Sequence, residues 1–273
     1  MPLSLKKNQR RKFKMNREIK HNTSLGLQTP TKKQSGSVCE ILFENEDFVA
    51  INKPAGLLTV PDREQKEISL KEILNNKYGK IFTVHRLDRD TSGVIVFAKN
   101  EAAHKYLSQL FEGREVQKFY LGLVNGSIPN KSGTIDASIT EHSYIKGKMV
   151  VHRKGKQSVT DYEVLEDFGL FSWVKFQIHT GRTHQIRVHI QYIGHAIVCD
   201  EIYGDGNPVL LSSFKKKFHL SQKEEEERPI LNRLALHSHQ LIFKDANGNE
   251  ISITAEPPKD LRALLNQLRK WKK

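Results

Sequence analysis

Short runs rich in β-branched and aromatic residues recur from Ile41 to Ala255, and Gly, Pro, Asn or Asp bound most of them. Runs of that length and composition read as strands. They are EILFE and FVAINK, IFTVHRL and GVIVFAK, KFYLGLVNG, QSVTDYEVLE, LFSWVKFQIH, LALHSHQLIF and EISITA. Between them lie stretches with helical spacing. Ser69 followed by Glu72 is a capping-box signature for a helix to about Asn76. Asn100 caps another, which carries Ala103, Leu107, Leu110 and Phe111 and stops at Gly113. Ile186, Ile190 and Ile193 ahead of Gly194 predict a third, and Pro257-Pro258 opens a fourth along Leu261, Leu264, Leu265 and Leu268. Many strands with irregularly placed helices predict an α+β fold: a mixed, largely antiparallel central sheet flanked by helices.

Charge divides the chain more sharply than hydropathy does. Of the net +13, the first 38 residues carry +9, with ten Lys or Arg against the single acid Glu18. That segment is too polar to form a core, so residues 1–37 are expected to be a flexible basic arm that neutralises nucleic-acid phosphates, and 38–273 one folded domain. No apolar run approaches the roughly 20 residues of a membrane helix, and the basic N-terminus lacks the apolar block of a secretory signal. Cys39 and Cys199 have no C-x-x-C partners, which argues against a disulfide scaffold or a thiolate zinc site and for a reducing cytoplasm. The stretch KKKFHLSQKEEEERP changes charge sign abruptly and reads as a surface insertion around 224–227.

Three polar constellations carry candidate chemistry: HRLDRDTSG at His85–Gly93, KFY at Lys118–Tyr120, and HTGRTHQIRVH at His179–His189. The first sits on a loop between two strand runs, where function concentrates. His179, His184 and His189 recur every five residues, a step of about 500° on a helix, so His184 and His189 diverge rather than share a metal. No G-x-G-x-x-G, Walker or G-x-S-x-G pattern is present, so neither a nucleotide cofactor nor a serine nucleophile is expected. Carboxylate chemistry with arginine support, without cofactor or metal, remains. At this level Asp88 fits an RNA-modifying enzyme, a retaining glycosidase pairing it with a second acid such as Asp90, or a binding module without turnover.

Taken together the motifs resemble the RluA-type pseudouridine synthases. HRLDRDTSG is similar to that family's H-R-L-D-x-x-T-S-G motif, INKPAGL at Ile51–Leu57 to its N-K-P-x-G motif, and KFY to its K-x-Y motif. TGRTHQIRVH is similar to its arginine motif and GHAIVCDEIYG to the segment that follows. The resemblance covers about residues 39–258, in the family's order. It implies isomerisation of uridine to pseudouridine in RNA without cofactor or metal, and the fold of that family's catalytic domain. It further implies that Asp88 is the essential aspartate, Tyr120 the tyrosine that packs on the target base, and Arg187 the arginine that pairs with Asp88. Arg86 would occupy the gap left by a flipped nucleotide, and His85, Thr91, Lys53, Arg182 and His184 would contact RNA. Many relatives carry an N-terminal S4-type domain, and the 38-residue tail is too short and too polar to be one. Ribosomal RNA is the expected partner ahead of transfer RNA, with no membrane and no obligatory protein partner.

Overall fold

The computed structural model describes residues 39–62, 64, 66–216, 218–219 and 226–271. The basic arm, most of its expected role included, and residues 220–225 of the charged insertion lie outside them. Residues Cys39–Lys273 form one compact unit.

The first strands, β1 (Glu40–Glu44) and β2 (Phe48–Lys53), are a hairpin, with the Asn45 side chain accepting the N–H groups of Asp47 and Phe48 in the turn. Helix α1 (Leu70–Tyr78) opens on the reciprocal Ser69–Glu72 capping box and runs two residues past the expected end. β3 is only Phe82–Thr83; from Val84 the chain leaves the sheet, so the expected strand IFTVHRL is mostly loop. β4 (Ser92–Ala98), α2 (Glu101–Glu112) under its Asn100 cap, and β5 (Gln117–Asn125) follow.

Three strands absent from the sequence reading come next: β6 (Ser132–Asp136), β7 (Ile139–Glu141) and β8 (Met149–Val151). Two of these, β7 and β8, are three residues long and form a separate pair, too short to show alternation. The long strands β9 (Val159–Asp167) and β10 (Phe171–Ile178) lead to α3 (Gln185–Tyr192). β11 (Leu236–Lys244), β12 (Glu250–Thr254) and α4 (Lys259–Trp271) close the chain.

Ten strands form one sheet in the order β1-β2-β4-β11-β5-β10-β9-β6, with β12 on β11 and β3 on β4. All pairings are antiparallel except β4 with β11, which meet at Ser92 opposite His237 and Gly93 opposite Ser238. Successive residues of β2 and β4 serve opposite faces. Val49, Ile51, Ile95 and Phe97 pack with α1, α3 and the four leucines of α4, whereas Phe48, Ala50, Val94 and Val96 pack with Ala103, Leu107 and Leu110 of α2. Each fully buried leucine contributes about 1.5–3 kcal/mol. Being covered on both faces, β4 is apolar from Gly93 to Ala98, which is why GVIVFA lacks a polar alternation. Among the described residues no helix is long and apolar enough to cross a membrane.

Candidate active site

Asp88 sits on the loop that joins β3 to β4, and neighbouring backbone is fixed on both sides of it. The Thr91 N–H donates to the Asp88 carbonyl at 3.2 Å, closing a tight turn ahead of β4. One residue before Asp88, the Thr59 hydroxyl accepts the Leu87 N–H at 3.2 Å and donates to the Leu87 carbonyl at 2.8 Å. One residue after, the Arg89 carbonyl accepts the Gly56 N–H at 2.9 Å and the Lys53 ammonium at 2.8 Å. The INKPAGLLT stretch is therefore a clamp on the Asp88 loop.

Lys53 corrects the sequence reading. Its ammonium donates to the carbonyls of Pro54, Leu57 and Arg89 at 3.0, 2.8 and 2.8 Å, which match the three donors of the group, and the residue is 0% exposed. Burial pulls its pKa from 10.5 down to about 8, with Asp90 and Asp88 opposing. It holds the loop and is not available to RNA. Thr91 is also buried, immediately before β4. His85 walls the cavity described below, yet its Nε2 accepts the Val96 N–H at 3.0 Å and its ring stacks on Phe111 at 4.3 Å. Burial lowers its pKa to about 3, so it is a neutral acceptor committed to β4.

The remaining expected residues converge. A cavity of about 500 Å³ is lined by Asp88, Tyr120, Arg187, Arg86, Arg182 and His184, among others. Arg187 Nη1 lies 3.7 Å from Asp88 Oδ2, and His184 Nε2 lies 3.9 Å from the same oxygen. Oδ2 thus faces both groups. Asp88 is a quarter exposed, enough for a ligand to reach it. Tyr120, on β5, is 8% exposed; burial raises its pKa, so its ring is a neutral aromatic surface.

Arg187 has a second acid that the sequence reading passed over. Its Nε and Nη2 donate to Asp200 Oδ2 and Oδ1 at 2.7 and 2.8 Å, and Asp200 is 1% exposed. Burial opposes the guanidinium charge, but the hydrogen bonds and charge of Asp200, then the charge of Asp88, outweigh it and hold the Arg187 pKa above its ordinary value. Asp200 Oδ1 also accepts the N–H groups of Ile202 and Tyr203. The D-x-x-Y spacing in CDEIYG was the available signal: a carboxylate that caps the turn after it can be held rigidly enough to aim an arginine.

Tyr203 extends this support. Its hydroxyl accepts the Met149 N–H at 2.8 Å and lies 2.8 Å from His184 Nδ1. The hydroxyl thereby fixes the orientation of the imidazole and turns Nε2 toward Asp88. Burial lowers the His184 pKa, with Asp88 opposing and Arg187 reinforcing. His184 adopts the left-handed conformation at φ 56°, an uncommon state for a non-glycine residue, and does not cap α3 with its side chain. A carboxylate facing a fixed guanidinium and an imidazole, beside an aromatic ring and between cationic walls, is equipped for nucleophilic or basic attack on an anionic polymer.

A model described as RNA pseudouridylate synthase matches residues 47–192, more than half the chain. An RNA pseudouridine synthase of Chlorobaculum parvum is 35% identical over 91% of this chain and 80% of its own length. Ribosomal large subunit pseudouridine synthase D of Nitrosomonas europaea is 35% identical over 84% of this chain and 65% of its own. The solved structure of Human RNA Pseudouridylate Synthase Domain Containing 4 superposes with a TM-score of 0.64 at 30% identity, covering 84% of this chain and 92% of that one. Fold, cavity and matches define an isomerase that acts on RNA. The chain belongs to the RNA pseudouridine synthases, in the RluA-type branch.

Proposed function

We propose that this enzyme converts specific uridines of structured ribosomal RNA to pseudouridine, with Asp88 as the catalytic carboxylate. The reading is carried by one observation, the Asp88 carboxylate set 3.7 Å from a guanidinium inside a cavity that also presents Tyr120. A stacked uridine cannot bring its ribose to a recessed carboxylate, so the nucleotide is extruded into the cavity. Tyr120 offers the face on which the uracil packs, and such stacking contributes about 1–3 kcal/mol per base. Arg86, exposed at the rim, is placed in the proposal to fill the vacated stack.

In the reaction the N-glycosidic bond breaks, the uracil turns, its C5 bonds to C1′, the C5 proton is lost to solvent and the freed N1 takes up a proton from solvent. Asp88 either attacks C1′, forming an ester that is broken when C5 bonds to C1′, or removes the C2′ proton and returns it once the new bond has formed. Ribosomal RNA is favoured over transfer RNA because relatives from Nitrosomonas europaea and Yersinia pestis bear the name ribosomal large subunit pseudouridine synthase D. Mapping pseudouridines in cells lacking the gene tests the substrate. Loss of a site in large-subunit ribosomal RNA is expected. Losses confined to transfer RNA would transfer the activity there, and an unchanged map in both would overturn the proposal.

A further inference from the structure

Among the described residues two buried lysines have opposite surroundings. Lys53 is enclosed by three carbonyl acceptors. Lys118, on β5 two residues before Tyr120, is 6% exposed and lines the cavity, yet its ammonium has no hydrogen bond or ion pair among the described residues. Its side-chain contact is the Phe111 ring, 5.9 Å from Nζ to the ring centre. The neighbouring charge it feels is Arg114, a like charge, and burial with that repulsion lowers its pKa. Glu112 lines the same cavity but forms no ion pair with it.

Burying an ammonium without an anion is among the costlier arrangements in a folded chain, whereas a well-packed apolar side chain of similar size costs little. A site that keeps the charge in the free protein is incomplete until an anion enters. The cavity admits one from solvent, and Arg114 stands at the same wall with no ion pair among the described residues. From β-strand geometry, Lys118 and Tyr120 point to the same face about two residues apart, roughly 7 Å, the distance from a base to its own backbone rather than across the base.

We infer that Lys118, assisted by Arg114, is the binding site for a phosphodiester flanking the flipped uridine. This rests on the reading of the cavity as the RNA site, and names which part of the RNA the β5 wall takes. The anion arrives with the substrate, so Lys118 trades stability of the free enzyme for grip on the extruded nucleotide.

The test uses the full chain, Lys118→Met and Lys118→Arg, with an RNA stem-loop carrying one unpaired uridine. In the absence of RNA, Lys118→Met is expected to unfold at a higher temperature than wild type, because an uncompensated charge is replaced by an apolar chain of similar length. Against RNA the same variant should lose about tenfold in affinity, and its salt slope should fall by about one, while Lys118→Arg stays within about threefold of wild type. Replacing one of the two flanking phosphodiesters by an uncharged methylphosphonate should weaken the wild type by about the same factor and leave Lys118→Met unaffected. Unchanged affinity and salt slope in Lys118→Met overturn the inference. So does full additivity between that variant and both neutral linkages, or a lower unfolding temperature with RNA binding intact. Tritium release by the wild type reports separately on the cavity's assignment, so failure of one is distinguishable from failure of the other.

Discussion

Arg187 grips Asp200 with hydrogen bonds of 2.7 and 2.8 Å and reaches Asp88 only at 3.7 Å. The guanidinium is thus anchored by one carboxylate and presented to another, with its charge in place before any substrate arrives. Preorganised charge of this kind is among the largest contributions to enzymatic rate.

Asp200→Asn tests the anchor. The substitution leaves a buried guanidinium without its anion, so a stability loss of about 3–5 kcal/mol is expected in urea denaturation. Where the variant remains folded, turnover should fall by about 10²-fold or more, because Arg187 is no longer aimed. Turnover within twofold of wild type would mean that Asp200 does not govern the site.

Lys53→Met tests the clamp on the Asp88 loop. Three carbonyls lose their donor, and each lost hydrogen bond to a charged group is worth about 1.5–3 kcal/mol, so both stability and turnover should drop. The pH dependence carries a sign. The folded pKa, about 8, lies below the ordinary 10.5, so between those values the unfolded chain binds the extra proton. The charged group's burial penalty is therefore complete below pH 8 and is relieved as pH rises toward 10.5. The stability of wild type relative to Lys53→Met is expected to increase across that window, and a flat difference would show that the lysine titrates normally.

Gly93→Ala tests the parallel junction. Gly93 has φ 109°, and a Cβ there would lie 2.0 Å from the Ser238 carbonyl oxygen of β11. Both the backbone conformation and the contact require glycine. A loss of about 3 kcal/mol or more is expected from chemical denaturation. Because Ser238 is registered opposite Tyr120, the damage should extend to the cavity. Wild-type stability in the variant would mean that β4 and β11 can separate freely.

These residues also show what sequence can and cannot reveal. The capping box at Ser69 and Glu72, the Asn100 cap and the Gly194 stop are local devices, and local devices are visible in a single sequence. Asp88, Tyr120 and Arg187 were legible through motifs and a resemblance, and the fold brings them to one cavity. Lys53 misled because a lysine reads as a solvated cation, and only the fold supplies its three carbonyls. Thr59 and Asp200 were hidden for a related reason. Their partners, Leu87 and Arg187, are 28 and 13 residues away, and neither pairing leaves a periodic trace. The strands β7 and β8 were missed because three residues cannot display a period of two.

The central claim is that the carboxylate of Asp88 carries out the isomerisation. RNA labelled with tritium at C5 of uridine releases the label as pseudouridine forms, and binding alone releases none. Wild type should release tritium, Asp88→Asn should release none while still binding the RNA, and Asp90→Asn, exposed in the adjoining turn, should retain most of the activity. Tritium release by Asp88→Asn at the wild-type rate would contradict the account.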